Sequence, residues 1–281
     1  MLVVVLGYGY VAKYLATKFN PDFKIYSTSR SITLGAAQII DNLSIVNFLD
    51  PKLENILLEA DVILSTIPPV DNYIDPVLEQ YKNIIVKSKC SWLGYISATS
   101  VYGDHNGAWV TEASNCNPSN LVAMNRLAAE KMWQNISTIQ PHIFRVAGIY
   151  GPGRNCLERI QQGQGSVVVK KNQIFSRIHI HDLCSSILAS INQPTPGEIY
   201  NIGDDLPAPN NEVEQFAASL LNLPPLKQID FLDANISAAR KRFFLDNKKV
   251  CNKKIKQALS LNWQYPTYKE GLKNGCLPFI I

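Results

Sequence analysis

The opening stretch, Leu2-Val3-Val4-Val5-Leu6-Gly7-Tyr8-Gly9-Tyr10-Val11-Ala12, constrains this chain more than any other part of it. Five consecutive apolar residues, mostly β-branched, predict a strand buried on both faces. A helical pattern follows from Tyr10 to Phe19, where Asn20-Pro21 stops it. Between them lies Gly7-x-Gly9-x-x-Ala12. Gly7 permits the tight turn out of the strand, Gly9 lets backbone approach a pyrophosphate closely, and Ala12 is small enough for helix to pack on strand. The first amides of the helix then face the phosphates. Gly7, Tyr8, Gly9, Tyr10 and Val11 are therefore the first candidate contacts of a bound dinucleotide. A flavin or S-adenosylmethionine binder also uses a glycine-rich first turn, and remains a distant alternative.

Composition narrows the class. With 281 residues, 46% of them hydrophobic and 18% charged, the chain can bury a sizeable core. A net charge of +4, with basic residues scattered and not interleaved with aromatic ones, gives no reason to expect nucleic acid. No apolar run approaches the roughly 18 residues of a membrane span, and the chain starts directly on a core strand. The expectation is a cytoplasmic protein that does not enter membranes. Cys90, Cys116, Cys156, Cys184, Cys251 and Cys276 stand far apart without a CxxC pair, and read as reduced thiols with no metal site.

In chain order the first half alternates strand and helix. Further strands are expected at Lys24 to Ser27, Ser44 to Phe48, Asp61 to Thr66, Trp92 to Ser97 and His142 to Val146. Asp75-Pro76 opens a helix as N-cap and first residue, running towards Ser88. A longer helix is expected from about Ser119 to Ile139, with Met124, Leu127, Ala128, Met132 and Ile136 on its packing face. Strands joined by helices of this length make a doubly wound parallel sheet. Residues 1–155, with 176–206 returning to them, are expected to form the dinucleotide-binding domain, and 156–175 with 207–281 a small substrate-side subdomain.

The second half is less regular. Gly148 to Arg154 reads as a glycine-rich loop, His181 to Ile191 as a helix with Asp182 in its first turn, and Glu198 to Gly203 as a strand that returns to the main sheet. Pro207 to Leu226 holds one more helix, capped near Asn210 or Asn211 and ended by Pro224-Pro225. Such a cap closes a crevice at the carboxyl ends of the strands, where ligands of open α/β sheets bind.

Four segments carry a family likeness: Gly7-x-Gly9-x-x-Ala12, Tyr95-Ile-Ser-Ala-Thr-Ser-Val-Tyr-Gly103, Arg145-Val-Ala-Gly-Ile-Tyr-Gly-Pro-Gly-Arg154 and Arg177-Ile-His-Ile-His-Asp-Leu183. Together they resemble the NAD(P)-dependent epimerase/dehydratase branch of the extended and atypical short-chain dehydrogenase/reductases, over nearly the whole chain. Asn201 to Asp205 and Tyr265 to Leu272 look like its atypical members. The resemblance implies a Rossmann-type domain with a small substrate cap, and a nicotinamide cofactor contacted further by Asp50, by Ser65-Thr66-Ile67 and by Ser97. It also implies a small-molecule substrate, such as a sugar nucleotide, and leaves a homodimer open. Asp50 equally suits the N-cap of a helix after Pro51.

The cofactor choice has a physical argument. About 20 residues past the glycines an NAD enzyme places Asp or Glu on the ribose 2′-hydroxyl, whereas this chain reads Thr28-Ser29-Arg30. Hydroxyls followed by a guanidinium fork suit a 2′-phosphate, so Ser29 and Arg30 favour NADP over NAD. The plainer alternative is a polar turn with a solvated arginine.

The catalytic positions depart from the family. Active members use a Tyr as proton donor or acceptor, a Lys four residues later and an upstream Ser or Thr. The resemblance puts Val122, Arg126 and Ala98 at these places. Valine transfers no proton and alanine polarises no carbonyl, which argues against the standard mechanism. Tyr102, Tyr150, Thr99 and Arg126 are the candidate substitutes, the two tyrosines being expected on loops at strand ends. Each has a duller fate, since a Tyr commonly packs its ring and bonds its hydroxyl to the protein. His105 reads as a solvated loop residue, and His179 and His181 as alternating positions of one strand, more often structural than metal-binding. Two functions follow: an NADP-dependent epimerase, dehydratase or oxidoreductase with a degraded triad, or a non-catalytic NADP-binding sensor.

Overall fold

The computed structural model describes residues 1–276. In chain order the elements are β1 (Leu2–Leu6), α1 (Tyr10–Ala16), β2 (Lys24–Thr28), β3 (Ala37–Ile40), β4 (Leu43–Val46), α2 (Lys52–Glu59), β5 (Val62–Ser65), α3 (Pro76–Lys87), β6 (Trp92–Ala98), β7 (Trp109–Val110), α4 (Leu121–Gln134) and β8 (His142–Val146). There follow β9 (Gly148–Tyr150), α5 (Cys156–Gln161), β10 (Ser166–Val169), β11 (Arg177–His179), α6 (Ile180–Asn192), β12 (Ile199–Ile202), α7 (Asn210–Leu220), β13 (Lys227–Asp230), α8 (Ala238–Arg242), β14 (Lys249–Val250), α9 (Lys253–Ala258) and α10 (Tyr268–Glu270). A single-turn helix covers Thr99–Tyr102, and a wide turn closes Gly271–Gly275.

The chain divides into two compact units, and the division differs from the expected one. The first comprises Met1–Ala98, Leu121–Arg145 and Ser186–Tyr200; the second comprises Thr99–Asn120, Val146–Ser185 and Asn201–Ile281. Residues 99–120 and 146–155, expected with the dinucleotide half, thus pack in the second unit.

The first unit is built on an eight-stranded, mostly parallel sheet in the order β12-β8-β6-β5-β1-β2-β4-β3. Its central strands are apolar on both faces, and β1 aligns Val3 with Val62 on one side and with Ile25 on the other. Helix α3 starts as cap chemistry dictates: Asp75 accepts from Val77 N and Leu78 N, each at 3.0 Å, with Pro76 in the first turn. Leu53, Leu57, Tyr81, Ile85, Trp133 and Ile143 are among the residues that close the core around it.

Three expectations here are corrected. Helix α1 ends at Ala16 rather than Phe19. A short strand, β3, runs antiparallel to β4, where a crossover helix is the usual device. Helix α4 spans Leu121–Gln134 and buries Ala123, Asn125, Ala129, Glu130 and Trp133, while Met124 is exposed. Met132 and Ile136 pack on the core as expected, but the buried face also carries two polar residues, Asn125 and Glu130. Glu130 is tolerated there because Arg145 meets it in a buried pair, Nη2 to Oε2 at 2.8 Å, with Ser97 Oγ donating to Oε1.

In the second unit β10 pairs with β13, β11 with β9, and β14 with β7, each in parallel. Tyr150, Leu157, Val167, Val213, Ala217 and Leu272 lie in its core. The Gly148 to Arg154 segment is no simple loop, since its first three residues form β9. Helix α7 starts at Asn210 behind Pro209 without a side-chain cap; Asn210 Nδ2 instead reaches Glu214 Oε1 at 3.0 Å.

Candidate functional site

The turn between β1 and α1 is fixed by hydrogen bonds to the ends of the two neighbouring strands, β2 and β5. Gly7 adopts φ +103°, and its N–H donates to Thr28 Oγ1 at 2.9 Å, while Tyr8 N donates to Thr28 O at 2.7 Å. A Cβ at Gly7 would stand 2.8 Å from Thr66 Oγ1 and 2.9 Å from Ile67 Cγ1. Thr66 Oγ1 is itself held, donating to Leu6 O at 3.1 Å and Gly7 O at 2.9 Å. Gly7 is therefore demanded by conformation and space together.

Gly9 is different. Its φ of −94° suits any residue, and a Cβ there would meet nothing within 4 Å. The missing side chain leaves open space above the start of α1, whose first amides have no side-chain cap. That is a cradle a pyrophosphate fits, with backbone donors directed at it. Val11 and Ala12 are buried beneath, and Tyr8 and Tyr10 are half-buried. At the neighbouring strand end Ser65 is fully buried, and its Oγ has no partner.

At the end of β2, Ser29 Oγ lies 2.8 Å from Ser31 Oγ, and Arg30 is exposed with no ion pair among the described residues. Asp50 is buried and commits both oxygens, Oδ1 to Lys52 N at 2.9 Å and Oδ2 to Gly35 N at 3.1 Å. It ties the start of α2 to the loop that carries Arg30.

Around β6 and α4, Arg126 Nη1 donates to Tyr95 Oη at 2.9 Å and to Ile96 O at 3.0 Å. The ring of Tyr95 stacks on Trp133, and burial raises its hydroxyl pKa above the usual phenol value. Trp133 Nε1 in turn donates to Asp75 Oδ2 at 2.9 Å. One turn before Arg126, Val122 is 51% exposed, and Ala98 is half-buried at the end of β6. Ser97, expected at a cofactor, instead spends its hydroxyl on buried Glu130.

The second unit holds the other candidates. Thr99 opens the single-turn helix and is half-buried, its hydroxyl without a partner among the described residues. Tyr102 and Tyr150 are not on open loops. Tyr102 is fully buried, donating to Asn201 Oδ1 at 2.7 Å. Tyr150 lies in β9 against Gly271 and donates to Thr267 O at 3.3 Å, and burial raises its pKa, opposite to what proton transfer near neutral pH requires. His105 is not free in solvent either: its Nε2 sits 3.1 Å from Tyr102 O and 3.2 Å from Asn115 O. His179 ends β11 whereas His181 lies in α6, so they do not alternate on one strand. Burial lowers His179 to about 4, with its ring 4.1 Å from that of Tyr265. Among the described residues no three His, Cys, Asp or Glu side chains stand close enough to hold a metal ion, and no helix is long and apolar enough to cross a membrane.

Sequence reasoning missed one polar group. Asp204, just beyond β12, is 1% exposed; Oδ1 accepts from Leu206 N at 3.2 Å, and Oδ2 has no partner. Burial raises its carboxyl from 3.8 to about 8, although the Arg177 guanidinium opposes the rise. Nearby in the chain, Asn201 Nδ2 is also buried and unpartnered. The segment Asn201 to Asp205 stood out in the sequence only as a family motif, and nothing in it signalled burial of the carboxylate.

Comparison with known proteins decides the family. Residues 82–203 match the model of the NAD dependent epimerase/dehydratase family. A conserved protein of unknown function from Silicibacter pomeroyi DSS is 34% identical, covering 97% of this chain and 96% of that one with a TM-score of 0.88. The chain belongs to the NAD dependent epimerase/dehydratase family. Protein YeeZ of Escherichia coli (strain K12) is 26% identical over 215 residues, 75% of this chain and 73% of YeeZ. The dTDP-glucose 4,6-dehydratase of Bacillus anthracis str. Ames, solved in complex with NAD, shares the fold at 18% identity and a TM-score of 0.78, over 98% of this chain and 95% of that one. This epimerase/dehydratase chain thus shares its Rossmann-type fold with these structures.

Proposed function

We propose that this chain binds NADP(H) at the β1–α1 turn and uses it on a small hydroxylated substrate, of which a sugar nucleotide is the favoured class. The observation that carries the cofactor reading is the open space at Gly9, at the start of α1. The unpaired guanidinium of Arg30 supports the 2′-phosphate form, because no carboxylate takes the place that an NAD enzyme gives to one. The dehydratase whose fold it shares acts, by its name, on dTDP-glucose, which supports the substrate class.

When bound, the nicotinamide supplies hydride exchange. The residues of the chain must then bind, orient and handle the proton. Arg126, held by Tyr95 and Ile96, keeps further N–H groups for ribose hydroxyls. Val122 and Ala98, at the places of the family's Tyr and Ser or Thr, contribute neither proton nor hydrogen bond. Thr99, next in the chain to Ala98 and with a free hydroxyl, is the candidate ligand of the substrate oxygen. Tyr102 and Tyr150 commit their hydroxyls internally, so either would have to break a bond first.

That same shortage of a proton donor favours a second reading, a non-catalytic NADP-binding sensor. Titration with NADPH and NADH, followed by absorbance at the nicotinamide band after adding fractionated metabolites, tests both. Tight NADPH binding with turnover supports the enzyme; tight binding with no turnover on any fraction supports the sensor. Absence of nicotinamide binding overturns both.

A further inference from the structure

Arg126 stands at the end of a chain of side chains that runs through the core of the first unit. It gives Nη1 to two acceptors on β6, Tyr95 Oη at 2.9 Å and Ile96 O at 3.0 Å. A terminal guanidinium nitrogen carries two N–H groups, so these contacts use it up. Nε and Nη2 have no partner among the described residues. Together they form the edge of the guanidinium that can hold two oxygens side by side.

Positions 126 and 133 share one face of α4, being seven residues apart, and Tyr95 meets both. The guanidinium takes its hydroxyl, and the Trp133 ring stacks on its ring with centroids 5.3 Å apart and planes at 18°. Trp133 Nε1 donates to Asp75 Oδ2 at 2.9 Å, and Asp75 Oδ1 accepts the Val77 and Leu78 amides that open α3. Tyr95, Trp133 and Asp75 are all buried. Each is fixed on more than one side, and the chain ends at one half-buried group, the Arg126 side chain.

A cation beside a phenol is one way to acidify a tyrosine. Here burial outweighs it and raises the Tyr95 hydroxyl, and a fully buried oxygen reaches no substrate. The contact instead holds the cation. The geometry points to Tyr95 as a positioning residue: clamped by Trp133 and Asp75, it fixes Arg126 so that the Nε–Nη2 edge is presented to the ribose that bears the nicotinamide. This rests on the cofactor reading above, in which Arg30 takes the phosphate of the adenosine half and leaves the other ribose to Arg126.

Calorimetry on the full chain, with NADPH and with adenosine 2′,5′-bisphosphate, which lacks the nicotinamide half, tests this. Tyr95→Phe keeps the ring on Trp133 and removes only the acceptor. It should weaken NADPH about three- to tenfold and leave the bisphosphate unchanged. Arg126→Ala should weaken NADPH about tenfold or more. Adding Tyr95→Phe to it should cost nothing further, because a positioning residue has no effect once its target is gone. Trp133→Phe, which keeps a ring on Tyr95 but drops the bond to Asp75, should repeat the selective loss on a smaller scale, and serves if Tyr95→Phe does not fold. Losses that add in the double variant, or that fall equally on both ligands, overturn the proposal by showing that Tyr95 only supports the fold. So does a Tyr95→Phe chain that binds NADPH as wild type does, with the cofactor reading left standing. A wild type that binds neither ligand overturns that reading and this proposal together.

Discussion

Replacing Asp204 by Asn should change how stability depends on pH, and the size of the change follows from burial. A carboxyl moved from 3.8 to about 8 carries about 6 kcal/mol at 1.36 kcal/mol per tenfold change in acidity. Relaxation and water entry reduce such penalties in folded chains, leaving about 2–4 kcal/mol. The sign is set by linkage: the folded-state pKa lies above the unfolded one, so the stability associated with protonated Asp204 is complete below pH 4. It is lost as pH rises through about 8. Asparagine is neutral throughout and nearly isosteric, so Asp204→Asn should come within about 1 kcal/mol of wild type near pH 4 and exceed it by about 2–4 kcal/mol near pH 8.5. Urea denaturation at half-unit steps of pH, read as wild type minus variant, isolates this group. The subtraction matters because buried His179, lowered to about 4, acts oppositely: its contribution is present above its unfolded value and lost as pH falls towards 4. A difference between the two proteins that stays constant from pH 5 to 8.5 would refute the reasoning, and would mean that the orphaned Oδ2 finds a partner in solution.

The other predictions concern the proposed ligand site. Gly9→Asp should abolish NADPH binding by calorimetry while leaving the thermal transition in place, because the new side chain enters open space that the backbone tolerates; retained affinity would reject the cradle. Arg30→Ala should weaken NADPH by about 1.5–3 kcal/mol, the range for hydrogen bonds to charged groups, and leave NADH nearly unchanged; equal losses would show that Arg30 maintains the loop instead. The triple variant Ala98→Ser, Val122→Tyr, Arg126→Lys should raise any hydride-transfer rate, since general acid-base help is typically worth about 10²- to 10⁴-fold. A wild type that is fast, with a slower triple variant, points to Thr99 and to a different proton route.

What the sequence displayed, and what it hid, divides along the range of the interactions. The β1–α1 turn was legible because Gly7 answers to a backbone angle and to Thr28 and Thr66 at the ends of two adjacent apolar strands. Helix α3 was legible because Asp75 and Pro76 are a cap written in consecutive residues. The buried face of α4 was not, because Glu130 becomes a packing residue only once Arg145, on a different strand, neutralises it. The same holds at the candidate site. Tyr102 and Tyr150 occupy the strand ends that suggested acids, yet Asn201 and Thr267, about a hundred residues further along, take their hydroxyls. Strand β3 escaped notice for a different reason. Its four residues show neither apolar alternation nor burial, the two signals that periodicity reads. A strand of that kind is specified by what lies beside it, here β4, to which it is tied antiparallel. The function of this chain therefore rests on two kinds of test: ligand titration for the glycine turn, whose motif is written in consecutive residues, and substitution for hydroxyls whose partners lie far away in the chain.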